Sequence, residues 1–295
     1  MPHLLQGLRE IAPRYDLILS DVWGVVHNGA RAYVEAADAL SRFRAGGGTV
    51  VLITNSPAPS RIVRGQLDYL RVPRAAYDAV VSSGDVTVAL LMERRGLSLF
   101  HIGAAQETGL FDEVEALCGE RPREAPIETA DFILCTGFID FYHETPPDYD
   151  ERLKRARARG LDFICANPDI VVEVDGALSW CAGAIAERYE RIGGRVIQAG
   201  KPFAPIYERA LALGAEARGG AVERSRVLAV GDAMRTDIAG AAKNGLDGLL
   251  VTSGIHRAEL HLSEDEDAAL DEAALRQFVE DSGLRPSAAT PALAW

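Results

Sequence analysis

Short apolar runs in this 295-residue chain end repeatedly in side chains that carry chemistry. Leu17-Ile18-Leu19 leads into Ser20-Asp21, Val50-Val51-Leu52-Ile53 into Thr54-Asn55, and Val227-Leu228-Ala229-Val230 into Gly231-Asp232, with Asp237 close behind. Gly200-Lys201-Pro202 adds a cation where a helix is predicted to start. Two carboxylates with small neighbours favour a hard divalent cation, foremost Mg²⁺, which takes few carboxylates and keeps waters and substrate phosphate oxygens. A lysine, a hydroxyl and backbone amides suit a phosphoryl group.

Groups so far apart in the chain need a fold that gathers them. Runs this short and this continuously apolar suit strands buried on both faces, the signature of a parallel sheet. Helical stretches alternate with them: Val34 to Ala45, Pro59 to Leu70, Pro205 to Leu213 and Thr236 to Asn244. Pro59 and Pro205 stand where a first helical turn tolerates proline. The alternation predicts an α/β fold, a Rossmann-like doubly wound parallel sheet with right-handed crossovers. Ligands of such sheets bind beyond the carboxyl ends of the strands, where all the groups above fall.

Residues 86–195 carry a second set of elements: Leu99 to Ile102, Phe132 to Cys135, Phe163 to Ala166, and an alanine-rich helix from Cys181 to Ile192. This stretch is too long for a loop within one compact domain. It is expected to form an inserted α/β domain, with residues 1–85 and 196–295 as the core. The tail from Arg285 to Trp295, rich in Pro, Ala and Ser, shows no periodicity and is expected to pack loosely or fray.

Composition narrows the partners. Hydrophobic residues at 48% and charged residues at 25% are ordinary for a globular chain able to bury a core. With 31 Lys+Arg against 43 Asp+Glu, the net charge of −12 repels phosphate backbones and anionic lipid, so neither nucleic acid nor a membrane is an expected partner. No apolar run approaches the roughly 20 residues that cross a bilayer, and no signal core opens the chain. A cytoplasmic protein is expected. Cys118, Cys135, Cys165 and Cys181 never form Cys-x-x-Cys and read as reduced core thiols.

The order Asp21-Val22-Trp23-Gly24-Val25, Thr54-Asn55, Lys201 and Gly231-Asp232-x-x-x-Thr236-Asp237 resembles the four motifs of the haloacid dehalogenase superfamily. Its class IIA branch, capped by a C2-type domain, is the closest likeness. Asn167-Pro168-Asp169, Ala182-Gly183-Ala184, Gly200-Lys201-Pro202 and Thr252-Ser253-Gly254 also look like that branch. The resemblance implies a hydrolase acting on a small phosphorylated substrate. Asp21 would be the nucleophile, giving an aspartyl-phosphate that water cleaves. Thr54 would bond the phosphoryl group, and Lys201 would neutralise it and orient Asp21. Gly24 and Asn55 would offer it free backbone amides. Asp21, Asp232 and the Trp23 carbonyl would hold Mg²⁺, supported by Asp237. Cap contacts in that branch make a homodimer one implied arrangement.

Position 23 departs from the pattern. Phosphatases of the superfamily usually carry a second aspartate there, which protonates the leaving oxygen, and an indole does no acid/base work. Members lacking it include dehalogenases and phosphonate hydrolases, and a phosphate-binding protein without turnover is a further alternative. The retained Asp232 and Asp237 favour phosphorus, since halide displacement by a carboxylate needs no cation. Trp23 either fills the volume of the missing carboxylate or stacks on a planar substrate. His27 is a rival proton donor, although a structural role is the commoner one for such a histidine. His143, His256 and His261 lack a metal-ligand spacing and are assigned no role. Asn167-Pro168-Asp169 reads equally as a plain turn or a substrate contact. The acidic run Glu264 to Asp267 reads as a solvated helix start.

Overall fold

A computed structural model describes residues 2–105, 108–174, 177–260 and 271–295, so His261 and the run Glu264 to Asp267 lie outside the described residues. Two compact units are resolved: Met1–Thr54, Arg64–Val81 and Lys201–Trp295 make the first, and Asn55–Val63 with Ser82–Gly200 the second.

The strands, in chain order, are β1 (His3–Leu4), β2 (Leu17–Ser20), β3 (Thr49–Thr54), β4 (Ala79–Ser82), β5 (Ser98–Ile102), β6 (Arg123–Glu124), β7 (Phe132–Cys135), β8 (Asp162–Cys165), β9 (Val171–Val174), β10 (Ala177–Trp180), β11 (Val196–Gln198), β12 (Val227–Gly231), β13 (Asp247–Val251) and β14 (Ala288–Thr290). The helices are α1 (Val34–Ala45), α2 (Ser60–Tyr69), α3 (Ser83–Glu93), α4 (Gly109–Cys118), α5 (Asp150–Ala158), α6 (Ala182–Arg191), α7 (Ala204–Arg218), α8 (Ala239–Lys243) and α9 (Glu272–Ser282).

In the first unit a seven-stranded sheet runs β1-β14-β13-β12-β2-β3-β4, with parallel pairing from β1 through β3. Every residue of β2, β3 and β12 is buried, as the apolar runs require of strands covered on both faces. From β2 the chain builds outward through β3 and β4, then returns to add β12, β13 and β14 on the other side. The order therefore reverses between β2 and β12, and a parallel sheet leaves its ligand crevice at such a switch.

The second unit has its own five-stranded parallel sheet, β11-β8-β7-β5-β6, and an antiparallel pair of β9 and β10. Ile133, Phe163, Ile185 and Tyr189 are among the fully buried side chains of its core. At the start of α3, Ser82 accepts from the Asp85 amide while the Asp85 carboxylate accepts from the Ser82 amide, a reciprocal cap. The α/β expectation holds: a Rossmann-like core and an inserted α/β cap. All four cysteines are free thiols, three of them buried and Cys118 half-buried. Burial pushes the Cys165 thiol up to about 12, which leaves it protonated and inert. No helix among the described residues is long and apolar enough to cross a membrane.

Two expectations need correction. The tail does not fray: Ala288, Ala289 and Thr290 form β14, seated between β1 and β13 and buried. The Leu8 amide donates to the Ala294 carbonyl, tying the two ends of the chain together. A three-residue strand of small side chains has no period to read, but it satisfies the backbone groups of two neighbours. The helix expected from Thr236 to Asn244 opens earlier, as a wide π-type turn at Met234–Ile238 that passes into α8. Such turns recur at functional sites.

Candidate active site

Asp21 is the first residue beyond β2 and Asp232 the first beyond β12, so the switch in strand order sets them side by side. The Asp21 amide donates to the Val230 carbonyl at 2.8 Å, locking the nucleophile candidate to the neighbouring strand. Asp21, Asp232 and Asp237 are all buried, and each offers one carboxylate oxygen within 4.8 Å of the others. Lys201, with 2% of its side chain exposed, places Nζ 2.7 Å from Asp21 Oδ1 and 2.7 Å from Asp237 Oδ1.

Each carboxylate is held differently. Asp21 Oδ1 also accepts from the Val22 amide at 2.7 Å, so both bonds fall on one oxygen. Asp237 takes Lys201 on Oδ1 and the Ala233 amide on Oδ2, at 3.1 Å, so both of its oxygens are engaged. Its place is to hold the lysine and the turn. Asp232 Oδ2 accepts from the Ile255 amide at 2.9 Å.

Burial drives the Asp21 carboxyl well above the usual carboxylate range. The charge of Asp237 pushes in the same direction, and Lys201 offsets these only in part. Three carboxylates thus face one ammonium in a place with little water. Such a set of hard oxygen donors could hold a divalent cation.

Glycines make the room. Gly24 has φ +80°, and a Cβ there would lie 2.1 Å from Asp232 Oδ2. A Cβ on Gly231 would lie 2.0 Å from Asp237 Cγ, and one on Gly254 would lie 2.0 Å from Asp232 Oδ2. The free amide expected at Gly24 is corrected: it donates to the His27 carbonyl at 2.8 Å, closing the turn that follows the nucleophile. Gly24 serves through the side chain it lacks.

Trp23 lies edge-on to His27, with ring centroids 5.4 Å apart, and a Cβ on Gly29 would sit 2.4 Å from its ring. The indole is therefore packed into its own loop, which favours the volume-filling reading. His27 is buried, and its Nδ1 accepts from the Gly29 amide at 3.0 Å. Burial lowers its pKa to about 4. At neutral pH it is an uncharged imidazole, with no proton acidic enough to hand to a departing oxygen.

Thr54 ends β3, whose Leu52 is in register with Ser20 of β2, so its hydroxyl belongs to the same carboxyl edge of the sheet. Asn55 falls in the second unit, where Nδ2 donates to Asp169 Oδ1 at 2.9 Å. The Asp169 amide in turn donates to Asn167 Oδ1 at 3.1 Å. Asn167-Pro168-Asp169 is thus a side-chain-capped turn that also holds the side chain of Asn55.

His256, given no role on spacing, accepts from the Met234 amide through Nε2 at 3.1 Å. A histidine that bonds a backbone amide has no spacing rule to betray it. The neighbouring Thr252-Ser253-Gly254 was the only signal within reach.

Comparison with known proteins finds a haloacid dehalogenase-like hydrolase family model matching residues 18–116 and a HAD-hydrolase-like model matching residues 198–274. A haloacid dehalogenase-like hydrolase from Brucella suis 1330 is 44% identical, with TM-score 0.84 over 99% of this chain and 100% of that one. A possible sugar phosphatase from Cytophaga hutchinsonii ATCC 33406 shares the fold at 19% identity, with TM-score 0.74 over 98% of both chains. The 5'-nucleotidase YutF of Bacillus subtilis (strain 168) is 25% identical over 256 residues, 85% of this chain and 92% of that protein.

Proposed function

This chain is a hydrolase of the haloacid dehalogenase superfamily, class IIA, and from that premise we propose that it is a Mg²⁺-dependent phosphatase of small phosphorylated metabolites, working through an aspartyl-phosphate on Asp21. One observation carries the reading: Lys201 Nζ stands 2.7 Å from both Asp21 and Asp237, inside a buried cluster completed by Asp232. A 5'-nucleotidase among the similar proteins, and a possible sugar phosphatase that shares the fold, support phosphorus over halide.

Asp21, Asp232 and the Trp23 carbonyl would hold the cation, with Asp237 behind them on Lys201. When bound, Mg²⁺ neutralises phosphoryl charge and lets a carboxylate approach phosphorus. An Asp21 oxygen forms the new bond to phosphorus as the ester P–O bond breaks, and the electron pair leaves on the substrate oxygen. Water then cleaves the acyl phosphate, returning the Asp21 carboxylate and releasing inorganic phosphate. Lys201 balances the charge of the transferring group and keeps Asp21 aligned, while the Thr54 hydroxyl and the Asn55 amide donate to phosphoryl oxygens.

With indole at position 23 and His27 uncharged, this loop gives the departing oxygen no acid. General acid catalysis is worth roughly 10²–10⁴-fold. Aryl and acyl phosphates should therefore turn over far better than alkyl phosphates. The test is kcat/KM across aryl, acyl, nucleoside and sugar phosphates, with Mg²⁺ and with chelator. We expect metal-dependent turnover, a steep fall with rising leaving-group pKa, and no turnover by Asp21→Asn. Near-normal rates for Asp21→Asn, or turnover untouched by chelator, would overturn the mechanism.

A further inference from the structure

The turn after Asp232 begins with backbone N–H groups that no preceding helical turn can satisfy. Side chains from elsewhere take them up. The Ala233 amide bonds Asp237, and the Met234 amide bonds His256 Nε2 at 3.1 Å. Met234 is 3% exposed, so water is a poor substitute for that imidazole.

His256 is itself held in place. Its Nδ1 pairs with the Glu259 carboxylate, and its ring lies 4.7 Å from that of Phe278 on α9. Because Nε2 accepts from Met234, the ring proton sits on Nδ1 and points at Glu259. The Leu260 amide donates to the His256 carbonyl at 3.0 Å, and Leu260 is fully buried, so this segment is anchored on both sides of the ring. The two residues just before His256 reach Asp232 directly: the Ile255 amide donates to Oδ2, and Gly254 lies too close to that oxygen to carry a Cβ.

We propose that His256 is a positioning residue for the metal-binding carboxylate Asp232. It ties the segment 254–256, which grips the carboxylate, to the backbone of the turn that carries it. Resting on the metal reading above, the proposal assigns His256 an effect on cation affinity that exceeds its effect on folding. Losing a partner that orients a metal ligand typically lowers affinity 10–100-fold.

The test is Mn²⁺ binding to the full-length protein by electron paramagnetic resonance, with Tm measured on the same samples. His256→Phe keeps an aromatic ring against Phe278 but accepts no hydrogen bond, and His256→Gln restores an acceptor at nearly the reach of Nε2. We expect His256→Phe to bind Mn²⁺ 10–100-fold more weakly and His256→Gln to stay within about threefold of wild type. Hydrogen exchange gives a readout free of metal: the Met234 amide should be protected in wild type and His256→Gln and should exchange quickly in His256→Phe. Wild-type affinity in His256→Phe, or equal losses in both variants that track Tm, would overturn the proposal. No Mn²⁺ binding by wild type would overturn the metal reading and this proposal with it, whereas intact wild-type binding separates the two. Should His256→Phe fail to fold, Glu259→Gln takes its place, with a smaller loss of affinity expected and an unchanged affinity counting against the proposal.

Discussion

As the proposed nucleophile, Asp21 has to reconcile two properties, a charge and a place with little water. Its carboxyl is held well above the usual range by burial first and by Asp237 next. A carboxyl whose folded-state pKa is raised stabilises the fold fully below its unfolded value, near 4, and that stability is lost as pH rises through the folded value. Metal-free Asp21→Asn should therefore be more stable than wild type at pH 7–8. The gap should close as pH falls towards 4, and Mg²⁺ should narrow it by stabilising only wild type. Urea unfolding of both proteins at several pH values checks this, and a gap independent of pH would exclude Asp21 as its source. At this scale the sequence marked out side chains that the fold does bring together, Asp21, Lys201, Asp232 and Asp237. It was not readable at Gly24, whose amide turns back to His27, or at His256, which acts on a backbone group.

Elements were legible in proportion to their length and apolar regularity. β3 and β12 announce themselves, because a strand buried on both faces must be apolar throughout. β14 is the contrary case: Ala288-Ala289-Thr290, flanked by Pro286 and Pro291, reads as a tail, yet it fills the gap between β1 and β13. Its identity as a strand comes from its neighbours' unpaired backbone rather than its own side chains. Ala289 is fully buried within the cluster of Leu250, Leu260, Leu275 and Met234 that backs the turn Met234–Ile238. Ala289→Asp should cost about 3–5 kcal/mol, as expected for an uncompensated buried charge. Arg285→Ala, at an exposed position just before the strand, should change stability by less than about 0.5 kcal/mol. Thermal melts of the two variants make the comparison, and equal effects would mean that β14 contributes little to the fold.

Across the whole molecule, the strand order that brings Asp21 to Asp232 also sets the order of assembly. Residues 82–200 form one unbroken stretch of the second unit, whereas the first unit draws on three separated segments. β2 gains one flanking strand early, in β3, but its other neighbour, β12, leaves the ribosome more than two hundred residues later, and β1 must wait for β14. Contacts so distant in sequence are slow to form and leave strand edges open meanwhile. A chain stopped at Gly200 should therefore yield a protease-resistant body within residues 55–200, with residues 2–54 degraded; uniform degradation would mean that the second unit needs the first. In vectorial synthesis the insert is thus the first part able to mature, and Asp21, the proposed nucleophile, spends most of translation on an unfinished sheet. Its acidic neighbours arrive only with the last quarter of the chain, so a truncated product would carry a folded insert and no assembled carboxylate cluster.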